Sequence, residues 1–174
     1  MLSFIIGGAR SGKTALAQSL CPPDSRVAYV ATMRAEDDEL RERIKRHRSS
    51  RPTVWTTIEE PLAIAAAVRR ASREFDSIVL DCLTLWLSNF CWEHRASDAG
   101  ELERRALDEA DDLVQACAGT YLIAISNEVG CGIVPENALA RSFRDLQGFV
   151  NQKIARAANE VWQTVAGIPV RIKG

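Results

Sequence analysis

The segment Gly7-Gly8-Ala9-Arg10-Ser11-Gly12-Lys13-Thr14 limits what this chain can fold into more than any other stretch, because it satisfies G-x-x-x-x-G-K-[ST] in full. Ahead of it, Leu2 to Ile6 is a short, mostly apolar run closed by Gly7-Gly8. Such a run is too short for a helix and reads as a buried strand. Behind it, Lys13 to Leu20 carries apolar residues at helical spacing and stops before Pro22-Pro23. A strand entering and a helix leaving this loop make the first half of a βαβ unit. The glycines allow backbone N–H groups to turn inward as a nest for phosphate oxygens, and the helix directs its positive end at the same point. Lys13 is expected to reach the β- and γ-phosphates, and Thr14 to hold Mg²⁺ through its hydroxyl. A glycine-rich turn that binds nothing is the competing reading. The completeness of the motif and its strand–loop–helix setting weigh against it.

The rest of the chain repeats the alternation. Val27–Ala31, Val54–Ile58, Ser77–Asp81 and Tyr121–Ser126 read as strands. Leu62–Arg73, Leu83–Cys91, Glu101–Ala118 and Leu139–Asn159 read as helices, the last with Phe143, Leu146, Val150, Ile154 and Ala157 on one face. Val161–Ala166 and Pro169–Ile172 flank a Gly167 turn and are close enough to pair as a hairpin. The pattern predicts an α/β fold: a mainly parallel sheet with helices on both faces and an antiparallel edge hairpin at the C-terminus. At 174 residues, 1–174 is expected to be a single domain. The net charge of −1 gives no global attraction to nucleic acid or anionic membrane, so any anion site is local. No apolar run approaches the roughly 18 residues of a membrane span, and the N-terminus lacks the charged region and cleavage site of a signal peptide. The five cysteines are odd in number and without C-x-x-C spacing, which fits free thiols in a reducing cytoplasm better than a disulfide frame or zinc site.

Two further groups carry chemistry. Ser77-Ile78-Val79-Leu80-Asp81 is an apolar strand ending in an acid, where the partner carboxylate of a nucleotide-bound Mg²⁺ is expected. Asp81 is favoured for that role over capping the helix that starts near Leu83. Residues 34–51 run from acidic (Glu36, Asp37, Asp38, Glu39) to basic (Arg41, Arg43, Lys45, Arg46, Arg48, Arg51), an order that complements a helix dipole. Leu40, Ile44 and His47 fall on one helical stripe. The residues alone leave two readings of His47 open: a neutral imidazole attacking phosphorus among phosphate-holding arginines, or a packed histidine at a helix end. The other histidine, His94, sits between Glu93 and Arg95 and reads as surface.

Taken together, the phosphate loop, Tyr29-Val30-Ala31-Thr32, Arg43-Ile44-Lys45-Arg46-His47-Arg48 with Arg51-Pro52, the run Asn127-Glu128-Val129-Gly130-Cys131-Gly132-Ile133-Val134-Pro135-Glu136-Asn137, Phe143-Arg144-Asp145, Gly148 and Asn151-Gln152 resemble the bifunctional adenosylcobinamide kinase / adenosylcobinamide-phosphate guanylyltransferase family of cobalamin biosynthesis. The resemblance spans essentially the whole chain. It implies a RecA-like P-loop fold, a homotrimer and two reactions. A nucleoside triphosphate, ATP or GTP, phosphorylates adenosylcobinamide. GTP then transfers GMP to that phosphate through a covalent GMP–histidine, releasing pyrophosphate. By position, Gly7 to Thr14, Ala31, Thr32, Met33, Arg48, Ser49, Ser50, Arg51, Glu59 and Asp81 are expected to contact the nucleotide. Some members carry two adjacent histidines where this chain has Arg46-His47, and in at least one of them the first takes GMP. With arginine in that place, either His47 is the nucleophile or GMP transfer follows a different route, and His47, the one histidine of the segment, is the expected residue.

Asn127 to Asn137 follows a buried strand, where ligands gather in open α/β sheets. Asn127 and Glu128 are candidates for meeting substrate or Mg²⁺, and a shaped loop at a subunit contact is an equal reading. A kinase without guanylyl transfer, and a GTP-binding regulator, are the alternative functions. Against the regulator, Asn127 is followed by Glu128 and not by the lysine of a guanine-reading N-K-x-D, and no basic stripe supports DNA binding.

Overall fold

The computed structural model describes residues 1–34 and 52–174. A seven-stranded sheet runs through it in the order β3-β2-β4-β5-β1-β6-β7. The strands are β1 (Leu2–Gly7), β2 (Val27–Ala31), β3 (Thr56–Glu59), β4 (Ser77–Asp81), β5 (Tyr121–Asn127), β6 (Glu160–Val165) and β7 (Ile168–Lys173). Every neighbouring pair is parallel except β6 and β7. The C-terminal hairpin is therefore antiparallel, as expected. Its two-residue loop puts Ala166 at φ 51° and Gly167 at φ 84°, the left-handed pair that matches the twist of a tight hairpin.

The central strands are buried on both faces because helices cover both. On one face lies α1 (Lys13–Leu20), whose Ala17 packs against Ile5, Tyr29, Val79, Ile123 and Ile125. On the other lie α2 (Ile64–Ala71), α3 (Leu83–Glu93), α4 (Ala99–Ala116) and α5 (Ala138–Ala157), over Leu2, Phe4, Ile78, Leu80, Leu122 and Ala124. The alternation of partners along each strand is the period-two rule read in three dimensions. Ala106, Ala110 and Leu113 of α4 and Leu146, Val150 and Ile154 of α5 are buried at helical spacing. Each buried leucine or isoleucine contributes about 1.5–3 kcal/mol relative to exposure. Asp98 caps α4 by accepting from Glu101 N, and Asn137 caps α5 by accepting from Leu139 N and Ala140 N.

Where element boundaries differ from the sequence expectations, they differ by one or two residues. The expected strand 54–58 occupies Thr56–Glu59, and the expected helix 62–73 spans only Ile64–Ala71. There Glu60 Oε1 takes the N–H groups of Leu62 and Ala63 outside the helix, at 3.1 and 2.9 Å. His94 departs from its surface reading. It is half-buried at the end of α3, edge-on to Phe90 with ring centroids 4.4 Å apart, and its Nε2 lies 3.4 Å from Arg105 Nη2.

Candidate active site

The phosphate loop leaves β1 with no space to spare. A Cβ at Gly7 would stand 2.5 Å from Thr164 Oγ1 and 2.6 Å from the Thr164 carbonyl oxygen on β6. Gly12 has φ +101°, and a Cβ there would meet Gly167 Cα at 3.0 Å. The loop is thus shaped by the C-terminal hairpin. Ser11 Oγ and Thr164 Oγ1 share a hydrogen bond of 2.7 Å, and Gly167 N donates to Ser11 O at 2.9 Å. This support from residues more than 150 positions away carries no local sequence signal.

Inside the loop, Lys13 is buried, and its ammonium donates to Gly7 O at 3.0 Å and Gly8 O at 2.7 Å. Burial lowers its pKa below that of an exposed lysine, against the opposing influence of Cys82 and Asp81. A phosphate group brought to the same ammonium would favour its charged form. Thr14 Oγ1 donates to Asp81 Oδ2 at 3.3 Å, and the buried Tyr29 hydroxyl donates to the same oxygen. Asp81 does not cap α3. The N-cap position belongs to Cys82, which makes no side-chain cap bond. The carboxylate instead faces the phosphate loop, where it accepts from Thr14. A hydroxyl and a carboxylate oxygen beside a phosphate nest are the hard donors that suit Mg²⁺, which keeps most of its other positions for water and phosphate. Burial, aided by the Asp81 carboxylate, pushes the Cys82 thiol up to about 12, so it stays neutral at pH 7 and does not serve as a nucleophile.

Not every residue expected at the nucleotide converges there. The Thr32 side chain is buried and already committed: its hydroxyl donates to Cys82 O and accepts from Cys82 N, each at 2.8 Å. Asn89 Nδ2 donates to Thr32 O at 2.8 Å and to Pro61 O at 3.1 Å. Thr32 braces the ends of β2 and β4 and offers no free hydroxyl. Ala31 and Glu59 are paired across β2 and β3, and Glu59 is four strand steps from β1, about 19 Å at the usual strand spacing. Met33 continues from β2 beside them. The expected residues therefore form two groups along the C-terminal edge of the sheet, with Asp81 between them. His47, Arg48, Ser49, Ser50 and Arg51 lie outside the described residues.

Asn127 and Glu128, by contrast, are placed against the loop. Gly7 pairs with Asn127, and Glu128 N donates to Gly7 O at 3.1 Å, the carbonyl that also holds Lys13. Glu128 Oε1 accepts from Gly130 N at 2.7 Å and so shapes its own turn. Arg141 Nη1 ties the far end of the loop by donating to Pro135 O at 2.9 Å and Glu136 O at 2.6 Å. Tyr29, Thr84, Ser126, Asn151 and Thr164 were not identified as site residues from the sequence, because each acts through a partner distant along the chain.

Comparisons with known proteins agree with this geometry. The family described as cobinamide kinase / cobinamide phosphate guanyltransferase matches residues 3–172. The bifunctional adenosylcobalamin biosynthesis protein CobU of Escherichia coli (strain K12) is 39% identical over 181 residues, covering 99% of this chain and 100% of that protein. The corresponding protein CobP of Pseudomonas aeruginosa is 42% identical over 180 residues, covering 100% of this chain and 98% of that protein. Among solved structures, a prototypical ATPase from the type III secretion system of pathogenic bacteria superposes with a TM-score of 0.58 at 12% identity, over 93% of this chain and 50% of that one. The chain thus spans half the length of that structure, and the likeness shows the P-loop ATPase fold alone. Matched over nearly its whole length, the chain belongs to the cobinamide kinase / cobinamide phosphate guanyltransferase family.

Proposed function

We propose that this chain phosphorylates adenosylcobinamide with ATP or GTP and then transfers GMP from GTP to the new phosphate. The observation that carries the kinase half is the gathering of Lys13, Thr14 and Asp81 around one phosphate loop. The substrate hydroxyl attacks the γ-phosphorus, the bond to the β–γ bridging oxygen breaks, and the hydroxyl proton passes to solvent or product phosphate. Lys13 exchanges the Gly7 and Gly8 carbonyls for phosphate oxygens and stabilises charge on the leaving diphosphate. Tyr29 and Thr14 hold the Asp81 carboxylate toward the loop. Thr14 and Asp81 would hold a Mg²⁺ ion, which would supply neutralisation of the phosphate charge.

For the second reaction, the His47 imidazole attacks the α-phosphorus of GTP. A nitrogen–phosphorus bond forms and pyrophosphate leaves. An oxygen of adenosylcobinamide phosphate then takes GMP from the histidine, giving adenosylcobinamide-GDP. Splitting the transfer in this way needs cations around the phosphates, which Arg48 and Arg51 offer in sequence. The test is turnover. With ATP and Mg²⁺, adenosylcobinamide becomes its phosphate; adding GTP gives adenosylcobinamide-GDP and pyrophosphate. Absence of phosphate transfer to adenosylcobinamide would reject the reading.

The assembly we propose is a homotrimer. The apolar side chains of Ile168, Val170 and Ile172 along β7, together with Ile133 and Leu139, are exposed in the single chain, which supports self-association. Sedimentation equilibrium should give about three times the 19.2 kDa chain mass; a particle of one chain mass would reject it. The free thiols at all five cysteines support a reducing, cytoplasmic setting. No helix among the described residues is long and apolar enough to cross a membrane.

A further inference from the structure

Four buried polar side chains sit under the end of β5, and the reactions described above leave them unused. Thr84 at the start of α3, Ser126 on β5, and Gln147 and Asn151 on α5 are all at most 9% exposed. Their hydrogen bonds form a closed ring through one residue. Asn127 N donates to Thr84 Oγ1 at 2.8 Å. That leaves the Thr84 hydroxyl proton to reach Ser126 Oγ at 3.3 Å. Ser126 donates to Asn151 Oδ1 at 2.7 Å, and Asn151 Nδ2 returns to Asn127 O at 3.2 Å. Gln147 Nε2 feeds the ring from outside, at 3.1 Å to Ser126 Oγ and 2.9 Å to Asn151 Oδ1. Two donors on Oδ1 fix which way the Asn151 amide points. In a buried setting each bond in such a chain polarises the next.

The ring grips both peptide groups of Asn127. With its N–H and its C=O each held by a buried side chain, the direction of its Cα–Cβ bond is set. That direction follows from alternation along β5. Leu122, Ala124 and Ser126 face α3 and α5, whereas Ile123 and Ile125 face α1. Asn127 therefore faces α1, on the same side as Asp81, which pairs with Ile125. It stands on the strand between the Asp81 strand and the phosphate-loop strand, opposite Gly7. Gly7 O is the oxygen that holds the Lys13 ammonium at 3.0 Å. Asn127 is half-buried, and its own carboxamide makes no hydrogen bond among the described residues.

We propose that Thr84, Ser126 and Asn151 are positioning residues whose ring of hydrogen bonds aims the Asn127 carboxamide at the γ-phosphate of the bound triphosphate. Asn127 Nδ2 donates to a γ-oxygen, so the site distinguishes triphosphate from diphosphate and holds the transferring group in line. This gives Asn151, conspicuous in the sequence but without a mechanism there, a physical role. The proposal rests on the nucleotide-dependent phosphoryl transfer described above.

The test compares binding of a non-hydrolysable GTP analogue with binding of GDP, without any corrinoid. A wrong choice of acceptor therefore leaves this test intact, whereas a failure of the kinase reading shows in the turnover assay. The native protein should prefer the triphosphate. Asn127→Ala should lower that preference about tenfold, the value of a hydrogen bond to a charged group, with GDP affinity unchanged. Thr84→Val should produce the same loss, Thr84→Ser should restore it, and the double variant Asn127→Ala/Thr84→Val should lose no more than Asn127→Ala alone. A merely structural role would lower the melting temperature without moving the ratio. An unchanged ratio in Asn127→Ala overturns the proposal whether or not Thr84→Val folds. Fully additive losses in the double variant overturn the positioning role.

Discussion

Replacing Lys13 with alanine is expected to lower kcat for phosphoryl transfer to adenosylcobinamide by about 10²–10³-fold or more, the usual cost of removing one preorganised donor from a developing charge. The stem and ammonium of Lys13 are buried, and the ammonium is held 3.0 and 2.7 Å from two loop carbonyls. Those carbonyls keep the cation at the loop before substrate arrives, so little reorganisation is needed when phosphate replaces them. The loss of two hydrogen bonds costs about 1 kcal/mol each in stability, far less than the loss of rate, so the variant should remain folded with a modest fall in melting temperature. The pH dependence has a definite sign. Burial depresses the Lys13 pKa in the free protein, while bound phosphate favours the charged form. Nucleotide affinity should therefore be full below the depressed value and weaken as pH rises through it, at a lower pH than an exposed lysine would give. In the folding equilibrium the same depression acts the opposite way. The folded state binds fewer protons than the unfolded chain between the two pKa values, so this group's contribution to stability rises with pH there. Titration of triphosphate affinity by calorimetry, with Lys13→Ala as the flat reference, checks the first statement. An unchanged kcat in Lys13→Ala would remove Lys13 from the reaction.

The parts of this molecule that could be read along the chain are those with local causes. Lys13–Leu20, Val27–Ala31 and Ser77–Asp81 were bounded correctly because a glycine loop, a proline pair and an apolar run are all local signals. The hairpin across Gly167 was legible for the same reason. The order of the strands was not, because periodicity says which face a residue buries but not which strand lies beside it. Only the crossovers place β5 between β4 and β1 and so bring Asn127 beside the phosphate loop. The site divides in the same way. The loop and Asp81 announced themselves by motif and by strand end. Tyr29 lies 52 residues from Asp81, Thr164 lies 153 from Ser11, and Asn151 lies 24 from Asn127. Each acts through a hydrogen bond that exists only once the sheet is assembled. Thr32 makes the reverse point. Its position matched a nucleotide contact, yet its hydroxyl is spent on Cys82.

Incubation with GTP labelled at the α-phosphate is expected to leave one GMP per chain, and His47→Ala is expected to abolish that label entirely. The linkage predicted is a phosphoramidate, formed when the imidazole displaces pyrophosphate from the α-phosphorus, so the label should be lost in acid and persist in base. Intact-mass measurement should show the addition of a single GMP, mapped to the peptide containing His47. His94 is the only other histidine in the chain. It stacks edge-on against Phe90 with centroids 4.4 Å apart and sits beside Arg105, on the helical face of the sheet opposite α1. His94→Ala should therefore leave labelling in place. Among the described residues the phosphate loop gathers Lys13, Thr14 and Asp81 and no histidine. So His47→Ala should still convert adenosylcobinamide to its phosphate, which then accumulates because no GMP reaches it. That pairing separates the two half-reactions in one protein. Label surviving His47→Ala would move the nucleophile to another residue, and absence of label in the native chain under turnover to adenosylcobinamide-GDP would mean direct attack of the substrate phosphate on GTP. Arg46 stands where some relatives of this family carry a first histidine. Attack on phosphorus needs one neutral imidazole nitrogen, so the label on the native chain decides whether a single histidine in place of a pair carries GMP.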